Sequence, residues 1–265
     1  MTVGYGHDEI VAALRDVGVG RGDIVFSHVG MGFLGPPREP LSPTAAADQI
    51  VDAFLEVLGS SGTLLVPTFS YSFCSGRDYD ALTTPSTTGA FTEVFRKRPG
   101  VVRSREPNFS VAGLGPACEA LFRDLPMDSF GAGCLYDRLR SADAALCNVG
   151  VGFRYATYVH HVERQIGVPY RFEKEFSGYI VENGTRTFEK TVYYVRTTAD
   201  DQDSLPDLSR LEEDVRRAGT LKEIPLGRSI ITRISCKDFT DAATAGIRRH
   251  PWYLARGYAT RSSSR

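Results

Sequence analysis

Short, largely apolar runs alternate with amphipathic segments along most of this chain, and that alternation restricts it to an α/β fold. GDIVFSHV (22–29), GTLLVPTF (62–69), FSVAGLG (109–115) and AALCNVGVGF (144–153) are too short for buried helices and read as buried strands. Helix-period segments separate them. Ile10, Val11, Leu14 and Val17 share one face, and Gly18 and Gly20 end it. Ser42 followed by Pro43 marks a helix start, with an end near Gly59. Further helices are predicted in TGAFTEVFRKR up to Pro99, in GPACEALFRDL and in TYVHHVERQI (157–166), closed by Gly167. GMGFLGPPREPLS (30–42) reads as a Gly/Pro-rich loop, and 70–88 as a long non-periodic segment of the functional or mobile kind.

Beyond Gly167 the pattern changes. Asn183-Gly184 sits between two alternating runs in FSGYIVENGTRTFEKTVYYVR, a hairpin signal. A helix (206–217), a strand (229–235) and a helix (236–248) follow, and 258–265 reads as a frayed tail. There is no repeat and no linker-like break. The expectation is one α/β domain over 1–265, with a mixed central sheet flanked by helices and an antiparallel β insertion in the C-terminal half.

Composition narrows the function classes. A formal net charge of −1 leaves no basic footprint for nucleic acid and no long-range attraction to anionic lipid. No apolar run approaches the ~18 residues of a membrane span, and the first ten residues lack a signal peptide's regions, so a cytoplasmic location is expected. The five cysteines, Cys74, Cys118, Cys134, Cys147 and Cys236, are scattered without zinc spacing and read as free thiols, and no metal site is expected.

Five histidines can be weighed singly. His7, beside Asp8 and Glu9, reads as a surface residue, and His250, before Pro251, as a helix-end residue. His28 ends a buried strand facing the glycine loop, where α/β proteins place ligands; a structural role is equally open. His160 and His161 point about 100° apart on a helix, so only one can face a given site. Thr157, His160 and Glu163 are spaced by three and share a face. A carboxylate beside an imidazole holds its tautomer and raises its basicity, which suits general-base work on an amine; a surface ion pair is the alternative. Gly30, Gly32 and Gly35 match G-x-G-x-x-G, but Pro36-Pro37 forbids the helix that would receive a pyrophosphate, so a dinucleotide site is rejected. Cys134, in GAGCLYDRL, approaches a helix N-terminus and could be a nucleophile or a small buried hydrophobe. Asp200, Asp201, Asp203 and Asp207 form an acidic loop, either a solvated turn or a lure for a polycationic substrate.

Taken together, several segments resemble the aminoglycoside 3-N-acetyltransferase (antibiotic N-acetyltransferase) family. GDIVFSHVGMGFLG resembles its strand and loop ending in V-H-S-S-L-x-x-L-G, and GTLLVPTFS its G-T-L-x-x-P-T-F block. TGAFTEVFRKRPGVVRSREPNFSVAGLGPACEAL is similar to its longest signature, with P-G-x-x-R-S-x-H-P-x-x-S-x-A-A-x-G. SFGAGCLYDRL corresponds to P-F-G-x-x-S-P-x-x-x-L, and VGVGFRYATYVHHVERQIGVPYR to L-G-V-x-x-x-x-N-T-x-x-H-x-x-E. The blocks keep the family's order over about 22–171. The resemblance implies direct acyl transfer from acetyl-CoA, or another acyl-CoA, to a small-molecule amine, with His160 as base assisted by Glu163. It implies a CoA site lined by His28, Val29, Gly30, Met31, Thr68, Arg103, Ser104 and Ser110, with Arg103 and glycine-loop amides suited to phosphate. Thr157, Tyr71, Glu106 and Cys134 would touch the acceptor. A homodimer is left open. The chain departs from the pattern at Val29 and Gly30, which replace two serines, at Glu106, which replaces His, and at Cys134-Leu135, which replace Ser-Pro. On the family's layout those departures point to a changed donor or acceptor.

Overall fold

The computed structural model describes residues 4–198 and 203–262. The first half runs α1 (His7–Asp16), β1 (Ile24–Phe26), α2 (Met31–Leu34), α3 (Pro43–Leu58), β2 (Thr63–Pro67), a 3-10 turn (Phe73–Ser75), α4 (Ala90–Phe95), β3 (Val102–Arg103), β4 (Val111–Leu114) and α5 (Cys118–Phe122). It continues through α6 (Leu135–Ser141), β5 (Ala145–Val149), α7 (Val159–Ile166), β6 (Arg171–Glu182), β7 (Thr185–Arg196), α8 (Ser209–Arg217), β8 (Lys222–Leu226), β9 (Ser229–Ser235), α9 (Cys236–Arg249) and α10 (Tyr258–Ser262).

Among the described residues, seven strands form one mixed sheet in the order β3-β4-β2-β1-β5-β9-β8. The central trio β2-β1-β5 is parallel, and the outer strands join antiparallel. Period-two alternation divides the strand side chains between two cores. Val25, Leu64, Val66 and Val149 pack on the face covered by α1 and α3. Phe26, Leu65, Leu146 and Ile234 pack on the other, under α6, α7 and α9. Ser42 caps α3 as expected, its Oγ accepting from Ala45 N at 3.2 Å, and Pro43 occupies the first turn.

The predicted hairpin is present as a separate two-stranded sheet, paired from Arg171↔Arg196 to Glu182↔Thr185. Asn183 and Gly184 both have positive φ, as a two-residue hairpin turn requires. The hairpin is tied to the rest by backbone bonds from Tyr79 N to Tyr179 O (2.9 Å) and from Ser129 N to Val192 O (2.9 Å).

Two expectations need correction, two strands carried no expectation, and the acidic loop forms a local turn, one of its two readings. The 30–42 loop begins with the helical turn α2, which stops before Pro36-Pro37. Strands β3 and β8 lacked a readable pattern. The first has two residues, and the second carries Pro225, tolerated because β8 is an edge strand. The tail assigned to 258–265 is helical over Tyr258–Ser262. Of the acidic loop, Asp200 and Asp201 lie outside the described residues. Asp207 accepts from Ser209 N at 3.0 Å and pairs with Arg210 at 3.2 Å, a local turn arrangement.

Candidate active site

The parallel strands β1, β2 and β5 end on the same side of the sheet, where the loops after them gather ligand-competent groups in α/β proteins. His28 follows β1, Thr68–Tyr71 follow β2, and the loop carrying Thr157 and α7 follows β5. Close approach is built in. Gly150 has φ of +75°, and a Cβ there would sit 2.5 Å from Gly30 O.

Helix α7 presents His160 and Glu163 on one face, as the i, i+3 spacing requires. His160 Nδ1 lies 2.7 Å from Glu163 Oε2. The His160 side chain is 17% exposed and that of Glu163 1%, so the pair is not a solvated surface pair. Gly167, at φ +82°, ends α7 and turns the chain so that the next residues face back onto the carboxylate. Tyr170 Oη donates to Glu163 Oε1 at 2.9 Å, and Arg171 Nε lies 2.7 Å from Glu163 Oε2. A carboxylate only accepts, so Nδ1 carries the imidazole proton and Nε2 keeps its lone pair.

Burial lowers the His160 pKa below the ordinary imidazole value, and the Arg171 guanidinium adds to this while Glu163 opposes it. Burial pushes the Glu163 carboxyl up, yet Arg171, His160 and Tyr170 outweigh it and leave it below the ordinary carboxylate value. The imidazole is therefore neutral and the carboxylate ionised at neutral pH.

A cavity of about 200 Å³ opens on His160, lined also by His28, Arg154, Tyr155, Thr157 and Leu208. His28 Nε2 is 3.2 Å from Thr157 Oγ1, and burial lowers the His28 pKa to about 4, so it remains neutral. Asn148, not singled out from the sequence, braces this wall. Its Nδ2 donates to Gly152 O (3.1 Å) and Tyr155 O (2.8 Å), and its Oδ1 faces His28 N at 3.4 Å. An asparagine inside a buried apolar strand was the available signal. A larger hollow of about 770 Å³ lies elsewhere, along α3 and α4, but its acids Asp48 and Asp52 are paired with Arg98 at 2.7 and 2.6 Å.

The other sequence-derived candidates divide. Val29, Gly30 and Met31 are half-buried; Val29 bridges Val149, and Val29 and Met31 pack on the core beneath α1 and α3. Thr68, Ser104 and Ser110 are buried and bonded to one another's segments. Thr68 Oγ1 donates to Ser110 O (3.1 Å), Ser110 Oγ to Thr68 O (2.8 Å), and Ser104 Oγ accepts from Val111 N (2.9 Å). Arg103 braces the same frame. Its Nε donates to Thr68 Oγ1 (3.0 Å), Nη1 to Thr84 O (2.5 Å) and Nη2 to Thr68 O (2.5 Å). Tyr71, at φ +51°, packs on Phe109 with ring centroids 5.1 Å apart, and Phe109 and Phe130 continue that aromatic wall to the His160 ring.

Glu106 and Cys134 do not line the His160 cavity. Burial pushes the Glu106 carboxyl up, opposed by donors at Phe109 N, Asn108 N (3.1 Å), Ser129 Oγ (3.1 Å) and Thr191 Oγ1 (2.9 Å). It ties a turn to the hairpin. Cys134 precedes α6, but burial pushes its thiol up to about 12, and it packs 3.6 Å from His161 Nδ1. His161 is fully buried, with Nδ1 2.9 Å from Phe130 O. Glu106 instead lines a separate hollow of about 450 Å³ with Arg105, Phe122 and Asp124. Cys134→Ala is expected to keep turnover within about threefold of wild type, since a thiol at this pKa is not a working nucleophile. Mass spectrometry after mixing with acyl donor should find no acyl-enzyme; a trapped adduct on Cys134 would contradict this.

A family model described as aminoglycoside 3-N-acetyltransferase matches residues 42–248, more than half of the chain. The chain is similar to aminoglycoside N(3)-acetyltransferase IV of Salmonella sp, at 25% identity over 247 residues, covering 92% of this chain and 87% of that protein. It is similar to aminoglycoside N(3)-acetyltransferase IX of Micromonospora chalcea, at 28% identity over 197 residues, covering 67% and 68%. In fold it is similar to sisomicin-bound AAC-VIa, with a TM-score of 0.80, 21% identity and coverage of 93% of this chain and 98% of that one. It also matches AAC-IIIb in a binary structure with CoASH, with a TM-score of 0.77, 18% identity and coverage of 92% and 96%. The mixed sheet, the ordered blocks and the matched span together establish that the chain belongs to the aminoglycoside 3-N-acetyltransferase family.

Proposed function

We propose that this chain, acting as a single catalytic domain in the cytoplasm, transfers acetyl from acetyl-CoA to an amine of an aminoglycoside or related aminosugar, with His160 as general base. The observation that carries this is the buried His160–Glu163 pair, which leaves Nε2 as an acceptor facing the cavity. The printed names of the relatives, and neighbours bound to CoASH and to sisomicin, support the donor and acceptor classes.

The reaction balances without a metal or a covalent intermediate. The amine nitrogen attacks the thioester carbonyl carbon as His160 Nε2 takes its proton; the C–N bond forms, the C–S bond breaks, and the proton leaves with the CoA thiol. An aliphatic amine is mostly protonated at neutral pH, so managing its proton is a real part of the barrier. Thr157, whose hydroxyl lies 3.2 Å from His28 Nε2, would donate to the carbonyl oxygen as charge develops there.

Mixing the protein with acetyl-CoA and a panel of 2-deoxystreptamine antibiotics should release free thiol, with an acetylated amine by mass spectrometry. No release across the panel would reject the acceptor class. Val29 and Gly30, which stand where the family's pattern has two serines, favour a second possibility, a longer acyl donor on the same scaffold. Faster turnover with a longer acyl-CoA in the same assay would establish it.

A further inference from the structure

We infer that Arg171, with Tyr170, is a positioning residue for the acyl transfer: it fixes and charge-balances the Glu163 carboxylate so that His160 offers a free Nε2 lone pair. The inference rests on the general-base role of His160. Arg171 opens β6, and its side chain is 3% exposed against 1% for Glu163, so the two form a buried ion pair. The same oxygen, Glu163 Oε2, meets both Arg171 Nε and His160 Nδ1 at 2.7 Å, while Oε1 receives the Tyr170 hydroxyl at 2.9 Å. Arg171 is itself anchored, with Nη1 donating to Tyr194 O at 3.2 Å. Both oxygens are hydrogen-bonded, Oε2 by the His160 ring and Oε1 by the Tyr170 hydroxyl, while Arg171 Nε approaches Oε2 at ion-pair distance without hydrogen-bond geometry.

Charge makes Arg171 more than a brace. A lone buried carboxylate next to His160 would favour the protonated imidazole, which cannot accept a proton from an amine. The guanidinium offsets that field. Tyr170, Tyr193 and Tyr194 also face the carboxylate, and burial keeps their hydroxyls protonated. Across the cavity His28 stays neutral, and Arg154 is paired with Glu212 at 2.7 Å. Arg171 is then the cation in direct contact with the pair.

The test compares wild type, Arg171→Gln and Arg171→Lys across pH with one donor and one acceptor, so that the acceptor's ionisation is common to all. Arg171→Gln should lower kcat roughly 10–100-fold with both KM values nearly unchanged. The acid limb of its kcat/KM profile should move to higher pH, because His160 then holds its proton longer; Arg171→Lys should restore the limb. A folded Arg171→Gln with the wild-type limb, or with a change in KM alone, overturns the inference. Nitrogen-15 NMR of the histidines in wild type tests it even where Arg171→Gln does not fold. A neutral His160 protonated on Nδ1 is expected, and an Nε2–H tautomer or an imidazolium at neutral pH overturns it. If His160→Ala keeps wild-type turnover, the base assignment itself fails. If His160→Ala is inactive while Arg171→Gln matches wild type, only the role of Arg171 fails.

Discussion

Replacing His160 by alanine will lower kcat by roughly 10²–10⁴-fold while the KM for acetyl-CoA changes little, the pattern of a group that acts only in the transition state. Positioned proton transfer is worth that much when the base has the right tautomer and protonation state, and His160 has both: Nδ1 is committed to Glu163, and burial keeps the ring neutral. The side chain is 17% exposed at the rim of the cavity, so its loss removes little packing and the fold should survive. Steady-state kinetics beside a thermal melt separate the two effects. A fall in kcat of less than about tenfold with an unchanged melt would remove His160 from the reaction.

Glu163→Ala should damage both fold and activity. The carboxylate is 1% exposed and joins α7 to Tyr170 and to Arg171. Its removal leaves a buried guanidinium uncompensated, which costs about 3–5 kcal/mol in comparable buried pairs. For a chain of this size that corresponds to a fall in Tm of more than about 5 °C, measurable by calorimetry. Glu163→Gln keeps the volume and an oxygen for Nδ1–H, so it should melt higher than Glu163→Ala while still losing turnover. Because the folded carboxyl sits below its ordinary value of 4.5, its pairing contributes stability fully present above that pH and lost as pH falls through the lower folded value. In Glu163→Ala that part of the acid-side loss should vanish. A melt of Glu163→Ala equal to wild type at neutral pH would show that the ion pair contributes no net stability.

The shared face of Thr157, His160 and Glu163 was readable from spacing, because a helix repeats every 3.6 residues and sets side-chain direction locally. The strands were readable for a similar reason: β1, β2 and β5 are short, largely apolar runs, as strands covered on both faces must be. Spacing alone did not say which of the adjacent histidines meets the cavity; it was the family resemblance that named His160. Spacing says only that His160 and His161 diverge; the packing of α7 against Phe130 and Cys134 buries His161 and leaves His160 at the rim.

Arg103 and Arg171 show the same divide in opposite directions. Arg103 lies in a block that the family resemblance ties to CoA, and sheet order, which no local pattern shows, brings Thr68, Thr84 and Ser110 around it to accept its donors. Arg171 carried no signal, being one basic residue after a proline. The turn at Gly167 and the start of β6 aim it at Glu163.

The sequence by itself determined the local directions: where elements start and stop, which side chains share a face, and the family those ordered blocks belong to. The tertiary structure alone decided the partners, because a carboxylate's or guanidinium's chemistry depends on the charges and solvent around it, and those are set by elements distant along the chain. Helical periodicity names His160 and Glu163 as a pair, but only burial between α7 and β6 decides the charge and solvent around it.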